Sequence, residues 1–123
     1  MKPNLNPNNK SLSEKLDDFT DNDTEFKQEL IGLMIHNLRE LQNAVGQLTI
    51  RSQFPYFEKI VHKTKSVLVI LDDFELNAVI EDLKNTINNS ADMMLREKIQ
   101  QFNHVSDNII KLLEDEGSIQ QAS

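Results

Sequence analysis

His62 combines a nucleophilic side chain with nearby positive charge. On a helix, residues three, four and seven positions apart share one face, and for His62 these neighbours are Glu58, Lys59, Lys65, Ser66 and Val69. The apolar stripe of the same segment points elsewhere, so we expect His62 to stand in solvent. A solvated imidazole is largely uncharged and nucleophilic at neutral pH, and lysine ammonium groups can bind a phosphoryl group through charge-assisted hydrogen bonds. The small Ser66 side chain would let a partner approach closely. The pattern fits a phosphoryl acceptor, although an ordinary solvated helix face has the same composition.

The other two histidines carry no comparable pattern. For His36 and His104 we expect solvated or half-buried side chains with no chemical task. Di-metal helical bundles use Glu-x-x-His pairs, and no Glu lies three positions before any His of this chain. The sequence has no cysteine and no phosphate-binding loop motif. We therefore expect no metal centre and no bound cofactor.

Composition narrows the possible classes of protein. The chain has 123 residues, 38% of them hydrophobic and 27% charged, with a formal net charge of −7. One domain of this length can bury a core, and an acidic chain is a poor match for nucleic acid. The apolar runs are shorter than the ~20 residues that span a bilayer, and the first ten residues are too polar for a secretory signal. We expect a monomeric cytoplasmic protein that binds neither nucleic acid nor membrane.

The N-terminal half contains two amphipathic patterns. Residues 1–10 read as a flexible tail, and Ser11–Thr20 could form a short helix. Asn22 and Glu25 resemble a capping pair, and a stripe at spacings of three and four then predicts a long helix. Its members are Phe26, Leu30, Met34, Leu38, Leu41, Val45 and Leu48.

The remaining elements are also predicted to be helical. The segment around Thr49–Pro55 is a break, and Pro55 suits the first turn of the next helix. That helix is predicted from Phe57 to Leu71, although VLVIL alone could be a buried strand. Asp72 or Asp73 can cap the next helix, with Leu76, Val79, Ile80, Leu83 and Ile87 inside. Ser90 can cap the last one, whose inner residues are Met94, Leu95, Ile99, Phe102, Val105, Ile109, Leu112 and Leu113.

These patterns predict an all-α protein. We expect an antiparallel up-down four-helix bundle with a short additional N-terminal helix as a lid. Gly117 should end the last helix, so the domain is expected to span residues 11–117, and residues 118–123 form a frayed tail.

The segment His62-Lys63-Thr64-Lys65-Ser66 resembles the signature of histidine-containing phosphotransfer (HPt) domains. That signature is a His, two variable residues, a Lys and a Gly, followed by an apolar stretch and a second Gly. The likeness extends to FKQELIGLMIHNLRELQNAV before it, to the turn FPYFEKIVH, and to FELNAVIEDLKNTI after it. It covers roughly residues 19–115.

The resemblance implies a phosphorelay function. HPt domains are four-helix bundles that carry phosphoryl groups between receiver-domain aspartates in two-component systems. His62 would be the phosphoryl acceptor, through its distal ring nitrogen, and Lys65 would stabilise the added charge. Ser66 occupies the first glycine position of the family and Asp72 the second, which departs from the family pattern.

The same resemblance implies the partners. They would be receiver domains of a hybrid sensor kinase or a response regulator, and the receiver would supply the Mg²⁺. The chain would be a phosphocarrier with no kinase activity of its own. Val69, on the His62 face, could join an apolar docking patch with Tyr56, while Val67 should point to the core. Tyr56 could equally pack at the helix start.

Three alternatives stay open. An HPt-like module could dock a receiver domain without accepting phosphate, which the two glycine replacements favour. The second alternative is the dimerisation helix pair of a histidine kinase, which also carries an exposed His. In that family an acidic residue usually follows the His directly, and a Pro lies a few positions later. Here Lys63 follows, and no Pro occurs after Pro55. A helical adaptor without histidine chemistry is the third, and a buried His62 or an exposed apolar groove larger than a few hundred Å² would favour it.

Overall fold

Most of the described part of the chain is helical. The computed structural model describes residues 10–49, 53–89 and 92–122, and within them it has six helices and no strand. They are α1 (Leu12–Thr20), α2 (Thr24–Gly46), α3 (Phe54–Lys63), α4 (Lys65–Leu71), α5 (Phe74–Asn89) and α6 (Asp92–Ala122). VLVIL lies in α4, which confirms the prediction of a helix there. The predicted flexible tail and the Ser90 cap fall outside the described residues, except for Lys10.

Polar side chains fix the start of the first two helices. Ser11 and Glu14 form a reciprocal capping box at α1. At α2 the capping side chain is that of Asp23, which accepts a hydrogen bond from the Phe26 N–H at 2.9 Å. The predicted pair of Asn22 and Glu25 is therefore wrong. Asn22 lies before the cap with a φ of 62°, a left-handed conformation that Asn tolerates better than most residues.

The stripe of α2 packs into the core almost as predicted. Six of its seven predicted members are buried, namely Leu30, Met34, Leu38, Leu41, Val45 and Leu48. Phe26 is the exception, since it remains 41% exposed and its ring lies 6.0 Å from that of Phe19. The apolar stripe of α2 thus enters the core at Leu30, in the second helical turn.

The predicted helix from Phe57 to Leu71 is interrupted at Thr64, which separates α3 from α4. The Thr64 side chain is buried, and its hydroxyl donates to the Ile60 carbonyl at 2.8 Å. Such back-bonding bends helices. The Thr64 N–H also donates to the Ile60 carbonyl, and the Leu68 N–H donates to the Thr64 carbonyl. Helical hydrogen bonds therefore continue from α3 into α4, and we call the two helices together the α3–α4 rod. Pro55 occupies the first turn of α3, as predicted.

Asp72 and Asp73 have different structural roles at the turn between α4 and α5. Asp73 caps α5 by accepting from the Leu76 N–H at 2.8 Å. Asp72 ends α4 in the left-handed conformation, with a φ of 43°. This conformation favours glycine, and Asp72 stands where the resemblance expects one.

The last helix is longer than predicted. Because α6 continues to Ala122, the prediction that Gly117 ends it is wrong. Gly117 lies buried against α2, and its carbonyl accepts a hydrogen bond from Gln28 at 3.2 Å. Two predicted inner residues of α6, Met94 and Leu112, are about half exposed, whereas Ile110 is buried.

The helices share one core. α2 packs against α6, α3 and α1, while α5 packs against α6. α1 also contacts α4 and α6, and it buries Leu16 completely. The Lys15 ammonium donates to the Leu71 carbonyl at 2.6 Å, where a cation complements the negative end of the α4 dipole. Among the described residues, no helix is long and apolar enough to cross a membrane.

Candidate functional site

His62 lies at an open groove between the α3–α4 rod and α5. Its side chain is exposed, which confirms the sequence prediction. The groove encloses about 590 Å³. Its lining residues are Glu58, Val61, His62, Lys65, Leu68, Val69, Asp72, Asn77, Ile80, Glu81 and Lys84.

Helical spacing places three of the predicted site residues together. His62, Lys65 and Val69 follow one another by three and four positions, and all three line the groove. The break at Thr64 therefore leaves their common face intact. Lys59 and Ser66 are exposed as well, but neither is among the residues that line this groove.

The two valines of α4 point in opposite directions, as predicted. Val67 is 2% exposed and Val69 is 66% exposed. Val69 also borders a second depression toward α1, where it lies with Phe19 and Ile70. The other lining residues of this depression are charged, namely Lys10, Lys15, Asp18 and Asp72. Tyr56 is half-buried and packs against the core, in agreement with a packing role at the start of α3.

Lys63, although it follows His62 directly, belongs to another face. Its ammonium lies 3.0 Å from Glu40 Oε2 on α2. His36 Nε2 lies 3.7 Å from Glu40 Oε1, an acidic neighbour at i+4 that the sequence analysis overlooked. Neither His36 nor His104 lines the groove. His62 is therefore the histidine that is both exposed and part of this groove.

The opposite wall of the groove belongs to α5, and none of its residues was among the site residues predicted from the sequence. One face of α5 lines the groove, and its residues are Asn77, Ile80, Glu81 and Lys84. The Lys84 ammonium lies 3.3 Å from Glu81 Oε2, and the two side chains are 38% and 66% exposed. The sequence did contain a signal, since these residues recur at spacings of three and four on the helix that follows the Asp72–Asp73 turn.

The charges of the groove are mixed. Lys65 and Lys84 stand on opposite walls, while Glu58, Asp72 and Glu81 are also in its lining. A dianionic group can be held here only close to the two lysines, because elsewhere the carboxylates repel it. Among the described residues, no group of three or more His, Asp or Glu side chains is arranged to hold a metal ion.

Comparison with known proteins leaves the family open. No protein-family model matches the chain, and neither the curated proteins nor the solved structures contain a significant match. Any assignment of function therefore depends on the residues and geometry of this groove.

Proposed function

We propose that this chain is a histidine phosphotransfer protein of a multistep phosphorelay. It accepts a phosphoryl group on His62 from a receiver-domain aspartyl phosphate and passes it to another receiver. The observation that carries the proposal is the exposed His62 at an open groove, with Lys65 one turn further along the same face.

The chemistry follows from these two side chains. The lone pair of the distal ring nitrogen of His62 attacks phosphorus, and the N–P bond forms as the P–O bond to the receiver aspartate breaks. The carboxylate leaves with the bonding pair, and the proton on the other ring nitrogen stays in place. Lys65 neutralises charge on the phosphoryl oxygens through a loose transition state. The receiver supplies the Mg²⁺, and this chain acts as a carrier without kinase activity.

The fold we propose for this function is an antiparallel up-down four-helix bundle. Its helices are α2, the α3–α4 rod, α5 and α6, with α1 as a lid. The packing of α2 on α3 and α6, and of α5 on α6, supports this arrangement. The depression beside the groove, where Phe19, Val69 and Ile70 lie among charged side chains, would receive the receiver domain. We propose that the chain acts as a monomer in the cytoplasm.

One observation favours a second candidate function. Asp72, at the second glycine position of the family, places a carboxylate in the lining of the same groove as His62. A carboxylate there opposes the arrival of a phosphoryl group. An HPt-like module that binds a receiver domain without accepting phosphate is the alternative.

Transfer from phosphorylated receiver domains decides between the two. Wild type is compared with His62→Gln, and His36→Gln and His104→Gln are the matched controls because both histidines are exposed and lie outside the groove. We expect acid-labile, base-stable label on wild type and both controls, and none on His62→Gln, with unchanged helicity in all four proteins. Receiver binding without label would favour the docking module. Label that persists on His62→Gln would contradict the assignment of the acceptor.

A further inference from the structure

We propose that a depression between α1, α5 and α6 is a docking site for a basic amphipathic helix of another protein. His62 is not among the residues that line this depression, so the proposal goes beyond phosphotransfer and does not depend on it. Three observations carry it: a projecting phenylalanine, an apolar lining from several helices, and a rim whose uncompensated charge is negative.

Phe74 is the most exposed large hydrophobic residue in the described part of the chain. It is the first residue of α5 and is 84% exposed. The buried stripe of α5 begins two positions later, at Leu76. Residues two positions apart on a helix do not share a face, so the packing that buries Leu76 leaves the Phe74 ring in solvent. Rotating α5 to cover this ring would expose Leu76 instead.

The Phe74 ring borders a depression of about 740 Å³. Leu112 of α6 lines the same depression and is 53% exposed, and Ile109 lies one turn before it. Leu12 of α1 and Leu71 of α4 complete the apolar lining. Single exposed apolar residues are common on protein surfaces. Five apolar side chains from four helices around one depression are instead typical of a binding surface.

The charges at the rim indicate the chemistry of the partner. Both lysines of the rim are engaged within the protein, because Lys10 pairs with Asp18 and the Lys15 ammonium donates to two carbonyls at the end of α4. The carboxylates of Asp72 and Glu75 also line the depression and are exposed. Neither of them forms an ion pair with a described residue. The charge that a partner would meet here is therefore negative.

An apolar lining with an acidic rim fits a helix that has leucine-like side chains on one face and lysine or arginine beside them. Asp73 adds a third carboxylate to the rim while it caps α5. The formal net charge of −7 attracts a basic partner and opposes a second, equally acidic copy of this chain. The Phe74 ring supplies the kind of aromatic anchor that carries much of the binding energy at protein interfaces.

A helix bound in this depression would leave the His62 face open. Of the residues that line the His62 groove, only Asp72 and Asn77 also line the depression. A partner could therefore hold the chain here while a receiver domain approaches His62.

The test uses a fluorescein-labelled peptide of leucine and lysine, with leucines at helical spacings of three and four. Its counterpart has glutamate at every lysine position. Binding to the full chain is followed by fluorescence anisotropy at low and at physiological salt. Phe74→Ser and Glu75→Gln alter the depression. Leu33→Ser on α2 and Glu97→Gln on α6 are the matched controls, because both side chains are exposed and lie outside it.

We expect the lysine peptide to bind, and the glutamate peptide to bind about 10-fold more weakly or not at all. Phe74→Ser should weaken binding of the lysine peptide by roughly 5- to 30-fold. Glu75→Gln should weaken it by roughly 2- to 5-fold, and less at the higher salt concentration. Both controls should bind like wild type, and circular dichroism checks that each variant is folded. Amide shift changes in ¹H–¹⁵N spectra should centre on Phe74 and Leu112.

Five results would overturn the proposal. The first is no binding of the lysine peptide at millimolar concentration, and the second is equal losses in Phe74→Ser and Leu33→Ser. The third is a set of shift changes centred on the His62 groove. Self-association of wild type that is lost in Phe74→Ser would assign the depression to a second copy. Binding that requires deletion of residues 1–9 would assign it to the N-terminal segment of the chain itself. Phosphoryl transfer to His62 is measured separately, so none of these results decides the proposed function.

Discussion

Replacing Lys27 with methionine should destabilise the fold, because Lys27 joins three helices through a buried cation. Its side chain is 5% exposed, and its ammonium lies 2.8 Å from Asp17 Oδ1 on α1 and 3.4 Å from Glu116 Oε1 on α6. Methionine keeps most of the apolar stem, so the substitution removes the charge with little loss of packing.

The magnitude follows from how well the remaining carboxylates can be hydrated. Removing one member of a fully buried ion pair costs about 3–5 kcal/mol. Here the Asp17 side chain is 41% exposed and that of Glu116 is 19% exposed, so water recovers part of the loss. We expect a decrease of about 1–3 kcal/mol in the free energy of unfolding. For a chain of this length, that lowers the melting temperature by roughly 4–12 °C.

Urea denaturation at pH 7, followed by circular dichroism, measures this loss. Lys10→Met is the matched control, because Lys10 also pairs with a carboxylate of α1, that of Asp18, but both side chains are about half exposed. The urea midpoint of Lys10→Met should equal that of wild type. If Lys27→Met matched wild type as well, or if both variants lost stability equally, the reasoning from burial would be refuted.

The contribution of Lys27 should also depend on pH in one direction. The hydrogen bond to Asp17, with further help from Glu116, raises the pKa of Lys27 above its ordinary value of 10.5. The folded protein therefore binds this proton more tightly than the unfolded chain does. The stability difference between wild type and Lys27→Met should be complete below pH 10.5 and should shrink as the pH rises through the folded-state pKa. A difference that grew above pH 10.5 would contradict this sign.

Three further substitutions test the site and the backbone. Lys65→Ala should slow phosphoryl transfer or shorten the lifetime of the phosphohistidine. If neither quantity changes in the transfer assay, Lys65 does not stabilise the phosphoryl group. Asp72→Gly should raise the free energy of unfolding by about 0.5–1 kcal/mol, since φ is 43° there, and it should increase label uptake by removing a carboxylate from the groove. Asp72→Ala keeps a Cβ and should give no such gain in stability. Gly32→Ala should stabilise α2 by about 0.5–1 kcal/mol in urea melts, because an added Cβ meets nothing within 4 Å, and a loss would contradict the open space around it.

Periodicity predicted the core well because burial on one helix face is a local property of the sequence. It located six members of the α2 stripe, and it placed Val67 inward and Val69 outward on α4. It failed at Phe26, which lies in the first turn of α2 beside the exposed ring of Phe19. Aromatic residues at a helix start can pack on each other outside the core, and spacing alone does not distinguish that case.

Helix ends were predicted less well because they depend on backbone conformation. Gly117 fits the pattern of a C-terminal glycine, yet among the described residues no glycine has a positive φ. The left-handed positions are taken by Asp21, Asn22 and Asp72, residues whose short polar side chains tolerate this conformation. At Gly117 the chain instead stays helical where α6 lies close to Gln28 and Ile31 of α2.

The groove depends on how the helices pack, and for that reason the spacing around His62 predicted only one of its walls. α3 packs on α2, and α5 packs on α6, so the outer space between α3–α4 and α5 is left open along the face that carries His62. The spacing around His62 determines which residues share its wall. It contains no information on which helix stands opposite, because that depends on the turn between α4 and α5 and on the packing of α5 against α6. The α5 residues of the groove are therefore found only when both walls are seen together.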